Sequence, residues 1–160
     1  MDQAYHGTYD GVQLLLHHEA ITPTTQGVPH NAADNVFIAP FNDETVAERI
    51  ITTHKDKLAA VIANPVQTSG GLLMPSEGYL KFLRDITREC RVLLIFDEVI
   101  SFRVAMGGAQ AHYGVAPDLT VFGKIIGGGL PVGAFGGRAD IMKSFSSGAF
   151  CTLARSTAIQ

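Results

Sequence analysis

Apolar residues in this chain gather into short unbroken runs, separated by longer stretches in which apolar positions recur every three or four residues. The runs are "AAVIA" at 59–63, "VLLIF" at 92–96 and "LTVF" at 119–122. An apolar run without polar alternation predicts a strand covered on both faces, the pattern of a parallel sheet. Two of the intervening stretches predict helices. In "NDETVAERIITTHKDKL", Val46, Ile50 and His54 recur at four-residue spacing, Asn42 is the candidate N-cap, and acids occupy the first turn. In "PSEGYLKFLRDITREC", Ser76 is the candidate cap. Leu80, Leu83 and Thr87 share one side there, with Phe82, Ile86 and Cys90 beside them, which makes the helix amphipathic. "VFIAP" at 36–40 and "VGAF" at 132–135 predict further short strands, "QTSGGLLMP" a loop, and "RADIMKSF" a closing helix. Strands alternating with helices predict an α/β fold with a mostly parallel, layered sheet.

Composition bounds the function classes. A chain of 160 residues that is 46% hydrophobic and 17% charged has the size and core of one ordinary domain. A net charge of −3, with lysine and arginine scattered, argues against a nucleic-acid partner. No apolar run approaches the roughly 18 residues of a membrane-spanning helix. The opening "MDQAYHGTYDG" lacks the basic-then-apolar order of a signal peptide. Cys90 and Cys151 lie far apart without CxxC spacing, so no disulfide framework is expected and a reducing cytoplasm fits. The histidines are scattered apart from the His17–His18 pair and form no HxxxH or HExxH pattern, so no metal site is expected.

Each of the three central runs leads directly to a polar residue: Asn64, Asp97 and, through Gly123, Lys124. The carboxyl ends of parallel strands form the ligand crevice of an α/β sheet, so neighbouring strands would gather these three at one edge. A buried Asp or Lys needs a partner. A structural Asp97–Lys124 salt bridge meets that need as well as an active site does. The glycine-rich stretch "GKIIGGGLPVGAFGG" matches neither GxxxxGK[ST] nor GxGxxG, which disfavours a nucleotide-phosphate loop and leaves an ordinary glycine-rich turn open. A lysine among apolar neighbours is a candidate nucleophile toward carbonyls. Pyridoxal phosphate uses such an amine, and it also needs a carboxylate at its pyridinium nitrogen, a role open to Asp97. Residues i and i+2 of a strand face the same way, so Val99 shares a face with Asp97 while Glu98 points elsewhere.

"LLIFDEV" followed by "FRVAMGGAQAHYGVAPDLTVFGKIIGGGLPVGAFGGRADIM", with "YHGTYDG" at 5–11 and "NPVQTSGG" at 64–71 in the same order, resembles the class III pyridoxal-phosphate-dependent aminotransferases. Within that family the likeness is strongest to its glutamate-1-semialdehyde 2,1-aminomutase branch, and it extends over residues 1–145. The resemblance implies a fold-type-I large domain, a mostly parallel seven-stranded sheet with helices on both faces, present here incompletely. Residues 1–143 would be its central part and 144–160 an atypical tail, with the family's upstream phosphate-binding segment and C-terminal small domain outside this chain. By position, Lys124 resembles the Schiff-base lysine that also shuttles protons, and Asp97 the carboxylate on the pyridinium nitrogen. Val99 resembles the residue packed on one face of the ring and Tyr5 the aromatic stacked on the other; His6 and Gly7 belong to the same motif as Tyr5.

The cofactor so implied is pyridoxal 5'-phosphate, and the substrate a small amino acid or a keto or aldehyde compound. The implied reaction is amino-group transfer, most like the conversion of glutamate-1-semialdehyde to 5-aminolevulinate, in a cytoplasmic homodimeric parent enzyme. Transamination of another amino acid or amine is the alternative. An alternative of another class is a catalytically inactive chain with at most an association role. Two positions depart from the family's pattern. Asn64 stands where many relatives carry Glu before Pro, so an amide that bonds but carries no charge replaces a carboxylate. Ile100 stands where many transaminases have Gln, and there the mutase branch often has an apolar residue.

Overall fold

The computed structural model describes residues 1–18 and 20–146. Its organising element is β4 (Leu93–Asp97), flanked on both sides by parallel neighbours, β3 (Ala60–Ala63) and β5 (Leu119–Phe122). β6 (Ala134–Gly137) returns antiparallel to β5, giving the order β3-β4-β5-β6. The three apolar runs therefore form adjacent parallel strands, as their sequence predicts. Leu94 and Phe96 of β4 are fully buried, whereas Leu93 and Ile95 on its other face are half-buried.

α1 (Glu44–His54) and α2 (Tyr79–Glu89) supply the main cover. Ala47 and Ile51 of the first and Leu80, Leu83 and Ile86 of the second meet Ala63, Leu94 and Phe96 in one core. Each large apolar side chain buried there contributes roughly 1.5–3 kcal/mol. Thr87, on the same side as Leu80 and Leu83, is also buried and bonds back to the Leu83 carbonyl at 2.6 Å. Two shorter α-helices, α3 (Gly108–His112) and α4 (Ala139–Ser146), follow. Residues 144–146, the start of the expected tail, continue α4, and residues 147–160 lie outside those described. Among the described residues no helix is long and apolar enough to cross a membrane.

The helix starts differ from their predicted caps. Asp43, not Asn42, caps α1, its Oδ1 accepting from the Val46 N–H at 2.9 Å. Asn42 adopts a left-handed φ of 66° and instead ties two distant segments, donating to the Met74 carbonyl and accepting from the Ser76 N–H. At α2 the cap position is Gly78, with φ 84°, and Ser76 contributes only its carbonyl, to the Tyr79 N–H. Residues 36–40 form no strand; the Asp2 N–H reaches the Ala39 carbonyl at 2.8 Å without starting a ladder. A hairpin of β1 (Leu14–His17) and β2 (Ala20–Pro23) is additional to the predicted elements.

Asp118, just before β5, fastens the amino-terminal edge of the sheet. Its Oδ2 accepts from the Leu94 N–H at 2.8 Å and from Arg84 Nη1 at 2.9 Å, and its Oδ1 accepts from Arg138 Nη1 at 2.9 Å. One carboxylate thus joins α2, β4 and the segment after β6. Burial alone would raise its pKa, but the Leu94 N–H and the Arg138 and Arg84 guanidiniums outweigh that and hold it below the usual carboxylate range. A group depressed in the folded state adds stability that is complete above its unfolded value, about 3.9, and is lost as pH falls through the folded value. Asp118→Asn should therefore cost roughly 3 kcal/mol at neutral pH, because it leaves Arg84 buried without its anion. Urea titrations should show the deficit shrinking below about pH 4. An equal deficit at pH 7 and pH 3 would contradict this.

Candidate active site

β3, β4 and β5 run parallel, so their carboxyl ends open on one side. Asn64 follows β3, Asp97 ends β4, and Lys124 comes just beyond β5. The three line a single cavity of about 220 Å³, together with Tyr5, His6 and Gly7 from the amino-terminal segment and Val99 from beyond β4. Every predicted site residue is therefore brought to one place.

Asp97 is the best-held member. It is only 5% exposed, and such a carboxylate is stable only if donors meet it. His6 Nδ1 lies 2.7 Å from its Oδ2, and the Val99 N–H donates to its Oδ1 at 3.1 Å. Asn64 Nδ2 donates to its main-chain carbonyl at 3.2 Å. The structural alternative of an Asp97–Lys124 salt bridge is thereby corrected: the partner of Asp97 is His6, and among the described residues no ion pair joins it to Lys124. The other ring nitrogen of His6, Nε2, is buried without a partner among the described residues. A buried polar atom without a protein partner marks a place for another polar group.

Glu98 turns away from the cavity, as the two-residue period of the strand requires. Its buried carboxylate accepts from the Ala109 and Gln110 N–H groups at 2.6 and 3.0 Å, at the start of α3. Gly108 makes that approach possible. Its φ is 75°, and a Cβ there would stand 2.7 Å from Glu98 Oε2.

Lys124 differs from its predicted setting. Its apolar neighbours suggest a buried amine, yet Lys124 is exposed, as are Ile125 and Ile126, because β5 ends at Phe122 and the chain turns outward through a short 3₁₀ turn. The backbone of Lys124 is left-handed, with φ 49°. In a non-glycine residue that conformation costs on the order of 1–2 kcal/mol, and it persists only where the surroundings impose it. Gly123 admits the preceding approach, since a Cβ there would meet Val99 Cγ1 at 3.3 Å. Tyr5 sits at the cavity rim, 57% exposed. The hydroxyl side chains of Thr68 and Ser69 also line the cavity. The sequence places them in the predicted "QTSGGLLMP" loop and in the "NPVQTSGG" motif without assigning them a role; the available signal was their position in a "TSGG" segment soon after β3 and Asn64.

A carboxylate, an imidazole, an amide and a primary amine at the carboxyl edge of parallel strands define an α/β domain with a ligand crevice in the usual place for such sheets. The chain matches the class-III aminotransferase family model over residues 1–155 and belongs to that enzyme family. It is 46% identical over 149 residues to the glutamate-1-semialdehyde 2,1-aminomutase of Methanocaldococcus jannaschii, which covers 91% of this chain and 35% of that protein. The chain thus spans about a third of the length of the curated relatives it matches. Among solved structures, an omega-transaminase from Sphaerobacter thermophilus superposes with a TM-score of 0.87 at 45% identity, covering 92% of this chain and 36% of that one. A transaminase with PLP bound superposes with a TM-score of 0.83 at 32% identity, covering 100% of this chain and 37% of that one. The sheet and helices described above are accordingly part of a fold-type-I large domain.

The backbone strain gives a direct prediction. Lys124→Gly relieves the left-handed conformation and Lys124→Ala does not, so the glycine variant should be the more stable by about 1 kcal/mol. Thermal melts of the two variants decide it, and an alanine variant as stable as the glycine variant would show that residue 124 is not strained.

Proposed function

We propose that this cavity carries pyridoxal-phosphate-dependent amino-group transfer, of the kind named in the aminomutase relatives. The observation that carries the reading is the convergence of a donor-held carboxylate, Asp97, and the amine-bearing Lys124 on one cavity. The residues present fit the cofactor. Asp97 offers a buried acceptor for a protonated ring nitrogen, and Tyr5 and Val99 offer apolar surface to a flat ring. His6 lines the same cavity, and its Nε2 is buried without a partner among the described residues. When bound, pyridoxal phosphate supplies an electron-poor ring that draws charge from the substrate carbon. The chain's own residues do the rest. Lys124 would hold the group through Nζ and would be the residue that moves a proton at the substrate carbon. Asp97 keeps a proton at the ring nitrogen, and His6 keeps the Asp97 carboxylate aimed.

The aminomutase reading draws support from the curated relatives and from Ile100 at the cavity wall. Transamination between separate donors and acceptors is the second reading, supported by the likeness to the omega-transaminase. Amino transfer that proceeds without an added keto-acid acceptor separates the two. We further infer residues 1–143 as the central part of the cofactor domain, a cytoplasmic location, and a homodimeric parent protein. The last is supported by large apolar side chains left in solvent, such as Leu72, Met74, Met106 and Leu130.

The test is chemical. Borohydride reduction after incubation with pyridoxal phosphate, followed by mass spectrometry, should place a pyridoxyl group on Lys124, and Lys124→Ala should abolish it. Label spread over Lys81 and Lys143, or no label, would overturn the assignment and favour an association role. Asp97→Asn should leave the label on Lys124 while lowering turnover of the full-length protein by roughly a hundredfold, because an amide holds the ring's charge poorly. Unchanged single-turnover rates would contradict the role of Asp97.

A further inference from the structure

Asn64 begins where the β3–β4 ladder stops. The last paired residues are Ala63 and Phe96, so the next carbonyl of β4, that of Asp97, has no strand partner on the β3 side. A main-chain carbonyl in a half-buried place needs a donor. Asn64 Nδ2 provides it at 3.2 Å, one residue beyond the ladder, so a side-chain amide continues what the backbone no longer does.

We infer that Asn64 is a positioning residue: its neutral amide fixes the main chain of Asp97 and leaves Asp97 as the only carboxylate among the described residues that line the cavity. The inference rests on the reading of this cavity as the active site. An amide donates and accepts, whereas an ionised carboxylate only accepts. A carboxylate at position 64 would therefore set oxygen against the Asp97 carbonyl and add a second negative charge beside the first. The titratable groups facing Asp97 are few. The amino-terminal segment brings Tyr5 and His6, the turn after β5 brings Lys124, and the loop after Asn64 brings only the hydroxyls of Thr68 and Ser69. Glu98, the nearest other acid in sequence, is committed to the Ala109 and Gln110 N–H groups. With Asn64 in place, Asp97 shares the cavity with His6 and Lys124 and with no second carboxylate among the described residues. A second carboxylate would couple to Asp97 in titration and favour the imidazolium form of His6.

The test uses NMR of the His6 ring across pH in the unmodified chain, in Asn64→Asp and in Asn64→Leu, without cofactor. Asn64→Asp should make the His6 resonances titrate about one pH unit higher than in the unmodified chain. Asn64→Leu, which removes the bond without adding charge, should shift them by less than half as much. A lowered melting temperature in both variants with the His6 titration left where it was would overturn the inference. Should Asn64→Asp fail to fold, the unmodified chain still decides. One Asn64 amide proton should be displaced from the free-amide position and follow the His6 titration; amide signals at the free position that ignore pH would overturn the inference. No cofactor enters these measurements, so their failure and a failure of the Lys124 labelling are distinguishable.

Discussion

A carboxylate at the buried end of a central strand can stay only if hydrogen-bond donors reach it. Asp97 imposes that requirement, and much of the architecture meets it. Its principal partner, His6, is 91 residues away in sequence, so the amino-terminal segment must cross to the carboxyl edge of the sheet. Contacts that hold the segment there include the Asp2 N–H on the Ala39 carbonyl and Gln67 Nε2 on the Asp2 carbonyl at 2.7 Å. Because His6 is fixed on Asp97, its neighbours Tyr5 and Gly7 come to line the same cavity as Lys124.

The two ends of the sheet solve the buried-acid problem in opposite ways. At the amino-terminal edge Asp118 is satisfied by a backbone N–H and two arginines, so its charge is spent on fastening the fold. At the carboxyl edge Asp97 is held but its surroundings are incomplete: a cavity adjoins it and His6 Nε2 has no partner among the described residues. The first arrangement stabilises, and the second leaves room for a ligand. The left-handed backbone of Lys124, on the wall of that same cavity, fits the tendency of strain to collect at functional positions.

The strands were the most legible part of the sequence, because unbroken apolar runs such as 92–96 leave few alternatives in an α/β chain. Asn64, Asp97 and Lys124 could be placed together from strand order alone. Caps were less legible. Asn42 and Asp43 are both good capping residues, and only the left-handed turn at Asn42 decides between them. The hairpin was missed because "LLLHHEAI" offers neither strict alternation nor a glycine or asparagine turn; His18 itself supplies the left-handed φ of 46°. The partner of Asp97 could not be read from spacing, since a contact across 91 residues leaves no local trace. The exposure of Lys124 was misjudged for a related reason: apolar neighbours indicate burial only while the chain remains in the sheet, and here β5 has already ended at Phe122.

The most direct measurement of the central claim is a crystal structure of the full-length protein with pyridoxal phosphate. Our account predicts the ring nitrogen within hydrogen-bond distance of Asp97, with the His6–Asp97 contact kept, the ring between Tyr5 and Val99, and a continuous covalent connection to Lys124 Nζ. A cofactor bound elsewhere, or bound here with its ring nitrogen turned from Asp97, would contradict it.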